Sequence, residues 1–114
     1  MSNIDIIKSN FQENQKINSI SSSQILESID MATSKILSML DGSGKLLTCG
    51  NGGSSGDAQH IASEFINRFE SERKPLPAIS LNSDTATLTS ISNDYGYQHV
   101  FSKQIKAIGN SDDI

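Results

Sequence analysis

The sequence predicts an α/β protein built on a parallel sheet. Two short apolar runs, "KLLTC" at Lys45–Cys49 and "AISL" at Ala78–Leu81, each precede a segment of helical character. Strand, helix, strand, helix is the βαβ alternation, and the handedness of its crossover makes neighbouring strands parallel. The strand count adds a third observation. Two parallel strands leave most of a sheet's edge and one face uncovered, an arrangement not expected to be stable alone. "DDI" at Asp112–Ile114 resembles the first residues of a third strand, so the chain reads as cut off in the middle of its fold.

The first forty residues read as two amphipathic helices. Ile4, Ile7 and Phe11 recur at helical spacing, with Ile17 and Ile20 continuing the segment less regularly. "SSSQ" at Ser21–Gln24 has the form of a capping box, serine followed three residues later by Gln, and predicts the start of the second helix. Behind it Ile25, Ile29, Ala32, Ile36 and Leu40 form an apolar stripe, and "DGSG" at Asp41–Gly44 stops the helix. These helices suit packing on the core or on another subunit.

"KLLTC" then fits a buried strand, with Cys49 as a small buried residue. A helix is predicted over residues 56–69, with Ala58, Ile61, Ala62, Phe65 and Phe69 inward. "ERKPLP" at Glu72–Pro77 carries both prolines and is a surface connection. After the second strand, "NSD" at Asn82–Asp84 looks like a helix cap, followed by "TATLTSIS" and a turn "NDYGY" at Asn93–Tyr97. A last helix turns Val100, Phe101, Ile105 and Ile108 inward and closes at Gly109. His99 reads as an exposed helix residue or a satisfied contact.

With 114 residues, 35% hydrophobic and 19% charged, the chain has room for one small globular domain. A net charge of −4 supports neither a nucleic-acid nor an anionic-membrane partner, both of which want a basic field. A lone cysteine makes no intrachain disulfide, and "MSNIDIIKSN" has neither a basic leader nor an apolar core. A cytoplasmic protein is expected.

The chemistry concentrates in "CGNGGSSGDAQHIASEF", Cys49–Phe65. In a parallel sheet, ligands collect beyond the carboxyl ends of the strands, where Gly50–Ser55 falls. Glycines there let backbone approach a ligand closely, and the following helix N-terminus favours an anion such as a phosphate. Asn51, Ser54 and Ser55 add neutral hydrogen-bonding groups. There is no GKS or GKT, and Gly50, Gly52 and Gly53 miss the spacing of a dinucleotide fingerprint. The same glycines equally suit a bare strand-to-helix turn.

His60 and Glu64 stand one helical turn apart, with Asp57 on the same flank. The pair can hold a divalent metal, Glu64 can act as a general base in a dry pocket, or the two can form an ordinary exposed helix pair.

Together with "PLPAISLNSDTATLTSISNDYG" and "VFSKQIKAIG", this stretch resembles the phosphoheptose isomerases, sedoheptulose-7-phosphate isomerases of the sugar-isomerase (SIS) domain superfamily. The resemblance runs from about Lys45 to the end. It implies a flavodoxin-like, doubly wound parallel sheet, with residues 1–44 as a helical pair at the oligomer interface and 45–114 as the N-terminal part of one SIS domain. Asn51, Gly52 and Gly53 match substrate-contacting positions, as do Asn93 and Asp94, with Ser54 and Ser55 as small residues beside the ligand. His60 and Glu64 match two zinc ligands, Glu64 also lying against the sugar.

The implied reaction interconverts sedoheptulose 7-phosphate and D-glycero-D-manno-heptose 7-phosphate, for bacterial surface polysaccharide, in a homotetramer. A ketose–aldose interconversion moves a proton between C1 and C2, with Glu64 as candidate base and zinc on His60 as candidate Lewis acid. Glu64 cannot be fully occupied by zinc and free as a base at once. Family members continue into a serine/threonine-rich phosphate loop and a later helix adding a Gln and a His to the zinc site. Neither is in this sequence, so the chain is expected to be a fragment of an isomerase or a stub with little activity of its own. The alternatives are a non-catalytic SIS protein that senses a sugar phosphate or binds another protein, and a piece that functions only in assembly.

Overall fold

The computed structural model describes residues 2–114. In order they form helices α1 (Asn3–Gln24) and α2 (Leu26–Asp41), strand β1 (Leu46–Thr48), helix α3 (Gly53–Ile66), strand β2 (Ala78–Ser80), helix α4 (Thr85–Tyr95), a 3-10 turn (Tyr97–His99) and helix α5 (Val100–Ile108). They divide into two compact units, Met1–Ser34 and Lys35–Ile114.

In the first unit, α1 starts with a capping box formed by Ser2 and Asp5. Asp5 N–H donates to Ser2 Oγ at 3.2 Å, and Ser2 N–H donates to Asp5 Oδ2 at 2.8 Å. The capping box predicted at Ser21–Gln24 is not one: these residues form the last turn of α1. Ser22 Oγ donates to Ser19 O and Ser23 Oγ to Ile20 O. The predicted cap, Ser21, is itself helical, and its carbonyl accepts from Ile25 N–H as an interior residue's would. The chain bends at Ile25 (φ −112°, ψ 0°). Helical bonding resumes with Ile29 N–H on Ile25 O. Ile4, Ile7, Phe11, Ile17, Ile20 and Ile29 are all exposed, Phe11 at 75%.

In the second unit, β1 and β2 pair in parallel with Leu46 opposite Ala78, Leu47 opposite Ile79 and Thr48 opposite Ser80. Alternation puts Leu46, Thr48, Ala78 and Ser80 on one face of the sheet. Met39, Leu46, Ala62 and Ala78 form its core, with Ile36, Leu40 and Phe65 against them. Of the predicted α2 stripe only Ile36 and Leu40 reach this core, both partly buried, and the buried residue of the helix is Met39. The small side chains of Ala58 and Ala62 bring α3 close to the strands, and Thr48 Oγ1 donates to Ala58 O at 2.7 Å. On the opposite face Ile79 is 39% exposed.

β1 has a neighbour on its other side as well. Ile114 N–H donates to Lys45 O, and Ile114 O accepts from Leu47 N–H at 2.7 Å, the hydrogen-bond pattern of a parallel pair. Just before it, Asp113 accepts from Lys45 N–H at 2.9 Å and from Lys45 Nζ at 2.6 Å.

α3 runs three residues earlier at both ends than the periodicity predicts. It begins at Gly53 and ends at Ile66, beyond which Phe69 forms an isolated antiparallel bridge to Ser71 and is exposed. Ile61 is exposed too, so two of the five predicted inward residues are not inward. Arg73 reaches back to the helix end, donating to Glu64 O and to Phe65 O. Asp84 caps α4 as predicted, accepting from Thr87 N–H at 3.0 Å. The predicted turn at Asn93–Tyr97 is helix as far as Tyr95, and the reversal falls on Gly96 (φ +94°). Val100 is buried, whereas Ile105 and Ile108 are not, and Gly109 ends α5 in extended backbone.

Candidate functional site

The glycine loop leaves β1 at Cys49, which is exposed and not a buried strand residue, because the strand has already ended at Thr48. Gly50 must be glycine: a Cβ there would stand 2.3 Å from Ser54 O. Gly52 serves as the cap of α3 with φ +57°, a conformation that L side chains rarely adopt. The helix opens tightly, with Ser54 N–H on Asn51 O and Ser55 N–H on Gly52 O, both at 3.1 Å. Ser55 Oγ also donates to Gly52 O at 2.7 Å. Two of the amides expected to face an anion are thus turned inward. Among the described residues, the amides of Asn51, Gly52 and Gly53 have no hydrogen-bond partner.

Two residues that the sequence assigns to a helix cap and to a turn, Asn82 and Tyr97, hold this loop. The Asn82 side chain bonds both polar groups of the Gly50 backbone. The Tyr97 hydroxyl donates to Asn51 Oδ1. Asn82 had a legible signal, its place one residue past the last apolar position of the second strand, level with the loop after the first. Tyr97 had none, since it meets Asn51 across 46 residues of sequence.

Further along α3, His60 Nε2 and Glu64 Oε1 stand 3.0 Å apart, the His side chain 74% exposed and the Glu 35%. Ile61, Phe65, Phe69 and Arg73 complete a largely apolar concavity of about 490 Å³ beside them. An imidazole nitrogen and a carboxylate oxygen at this spacing suit a divalent metal such as zinc in kind. They are one short of the three protein ligands a catalytic zinc keeps, and no group of three such side chains occurs among the described residues.

Asn93 and Asp94 occupy the last turn of α4, exposed, with Asn93 Nδ2 donating to Asp94 Oδ1 at 2.9 Å. Neither bonds the loop. It is Tyr97, just past them, that joins this junction to Asn51. No described helix is long and apolar enough to cross a membrane.

The family model for the SIS domain matches residues 11–114. The phosphoheptose isomerase of Alkalilimnicola ehrlichii is 49% identical over 110 residues, covering 96% of this chain and 56% of the relative. That of Shewanella pealeana is 49% identical over 111 residues, covering 97% and 56%. Among solved structures, a phosphoheptose isomerase from Francisella tularensis superposes with a TM-score of 0.94 at 42% identity, over 99% of this chain and 59% of that one. The isomerase GmhA from Neisseria gonorrhoeae gives 0.90 at 38%, over 98% and 58%. The chain thus spans little more than half the length of these relatives.

Proposed function

The chain belongs to the SIS domain family, and from that premise we propose that its glycine loop and the α3 face bearing His60 and Glu64 serve a phosphoheptose isomerase. The reaction interconverts sedoheptulose 7-phosphate and D-glycero-D-manno-heptose 7-phosphate, for bacterial surface polysaccharide, in the cytoplasm. One observation carries the reading. A helix opened by a glycine loop at a strand's carboxyl end presents an imidazole and a carboxylate in mutual contact beside an apolar concavity. A protein that only binds a sugar phosphate needs neither a base nor a metal ligand at that place.

The proposed roles follow the chemistry. The free amides of Asn51, Gly52 and Gly53 donate to sugar or phosphate oxygens, with Ser54 and Ser55 beside them and Asn93 and Asp94 as a second contact with the sugar. Glu64 moves the proton between C1 and C2 as general base and acid through an enediolate. Zinc belongs to the proposal with His60 as a ligand and others from beyond the described residues, and with Glu64 as a ligand only while it is not moving the proton, since it cannot be fully occupied by zinc and free as a base at once. Bound there, it would polarise the substrate oxygens. The residues before β1 are proposed to form part of a homotetramer interface.

The test is turnover of sedoheptulose 7-phosphate by the intact protein, with and without added zinc, followed by NMR of the sugar. Zinc-stimulated conversion is expected, and Glu64→Gln should lower kcat by about 10²–10⁴-fold. No conversion by the zinc-loaded protein would overturn the isomerase reading, and full activity of Glu64→Gln would remove Glu64 from the chemistry.

A further inference from the structure

Asn82 and Tyr97 both reach the glycine loop from later in the chain. β1 and β2 keep register through Thr48 and Ser80, and Leu81 N–H still donates to Thr48 O at 2.8 Å. Two places further that register sets Asn82 beside Gly50, where backbone pairing has stopped. There the side chain takes over: Asn82 Oδ1 accepts from Gly50 N–H at 2.9 Å, and Nδ2 donates to Gly50 O at 2.8 Å. A carboxamide carries a donor and an acceptor on one planar fork, which a carboxylate of the same shape does not. Gln59 Nε2 donates to Asn82 O at 3.2 Å, so α3 is tied to the same point.

One residue on, the Tyr97 hydroxyl occupies Asn51 Oδ1 and leaves Nδ2 as that side chain's free polar group. With the unpartnered amides of Asn51, Gly52 and Gly53, most of what the loop offers is N–H. Such a surface matches a ligand rich in acceptor oxygens. We infer that Asn82 and Tyr97 are positioning residues that hold the glycine loop as an array of donors for the substrate's oxygens, an inference that rests on the isomerase reading. The loop that binds is thereby shaped by the βα unit that follows it.

Tyr97→Phe in the intact protein removes one oxygen and tests this directly. The KM for sedoheptulose 7-phosphate should rise about fivefold with kcat held within about twofold, the pattern of lost uniform binding. The thermal midpoint should stay put, while exchange of the hydrogen-bonded Ser54 and Ser55 amides, which sit on Asn51 O and Gly52 O, quickens in the ligand-free protein. Asn82→Asp keeps the acceptor for Gly50 N–H but sets an oxygen against Gly50 O, and should raise KM further. If Asn82→Asp fails to fold, Tyr97→Phe decides alone. An unchanged KM in an active Tyr97→Phe enzyme overturns the inference. If the wild-type protein does not turn over the substrate, the isomerase reading fails by itself and exchange decides: unchanged rates at Ser54 and Ser55 overturn the positioning role, and faster rates support it.

Discussion

Asp113 shows how much one side chain can anchor. Its carboxylate takes the backbone N–H and the ammonium of Lys45, and its side chain is 5% exposed. The Lys45 hydrogen bond, with smaller help from Asn110, holds the Asp113 carboxyl below its ordinary value of 3.8. Because the folded value is the lower one, unfolded chains take up this proton first as pH falls. The stabilisation is therefore complete above the ordinary value and lost as pH drops through the folded one. Asp113→Asn should lower the urea midpoint near neutrality and shrink its fall between neutrality and about pH 3. An unchanged midpoint at neutral pH would mean that the pair does not anchor β1. At this scale the sequence was legible where chemistry is local. Gly50, Gly52 and Asp84 stand out by residue type and position. Cys49 and Tyr97 do not, because the first depends on where β1 stops and the second on a contact across 46 residues of sequence.

Among the elements, α3 carries the site and is the one whose packing admits least change. Ala58 and Ala62 are each 4% exposed where the helix meets both strands. Ala62→Leu should cost about 1–3 kcal/mol by overpacking, read as a shift in denaturant midpoint. The predicted boundaries of α3 were displaced at both ends for separate reasons. Gly53, Ser54 and Ser55 are poor helix formers, yet Asn51 O and Gly52 O receive amides that begin the helix early. At the other end Arg73, from the connection after the helix, takes the carbonyls of Glu64 and Phe65 and ends it before Phe69. The α1–α2 joint failed as a prediction for a related reason. Serines before an apolar stripe have the form of a cap, but here their backbone continues α1 to Gln24, with Ser21 O accepting from Ile25 N–H.

For the whole molecule, unfilled surface is the main feature. Phe11 and its apolar neighbours on α1 are exposed, and Ile79 lies on a bare sheet face. The proposed homotetramer predicts a sedimentation mass about four times that of one chain for the intact protein, and Phe11→Asp should shift it toward smaller species. A wild-type monomer at micromolar concentration would refute the assembly. Periodicity and strand–helix alternation by themselves determined the α/β class, the parallel pair and the place of the glycine loop, since each depends on neighbours within a few residues. Only the tertiary structure decided which apolar residues are buried, that Ile114 pairs with β1, and that Asn82 and Tyr97 hold the loop. Those depend on contacts between residues tens of positions apart, and a local pattern records that a side chain is apolar or polar without recording what it will meet.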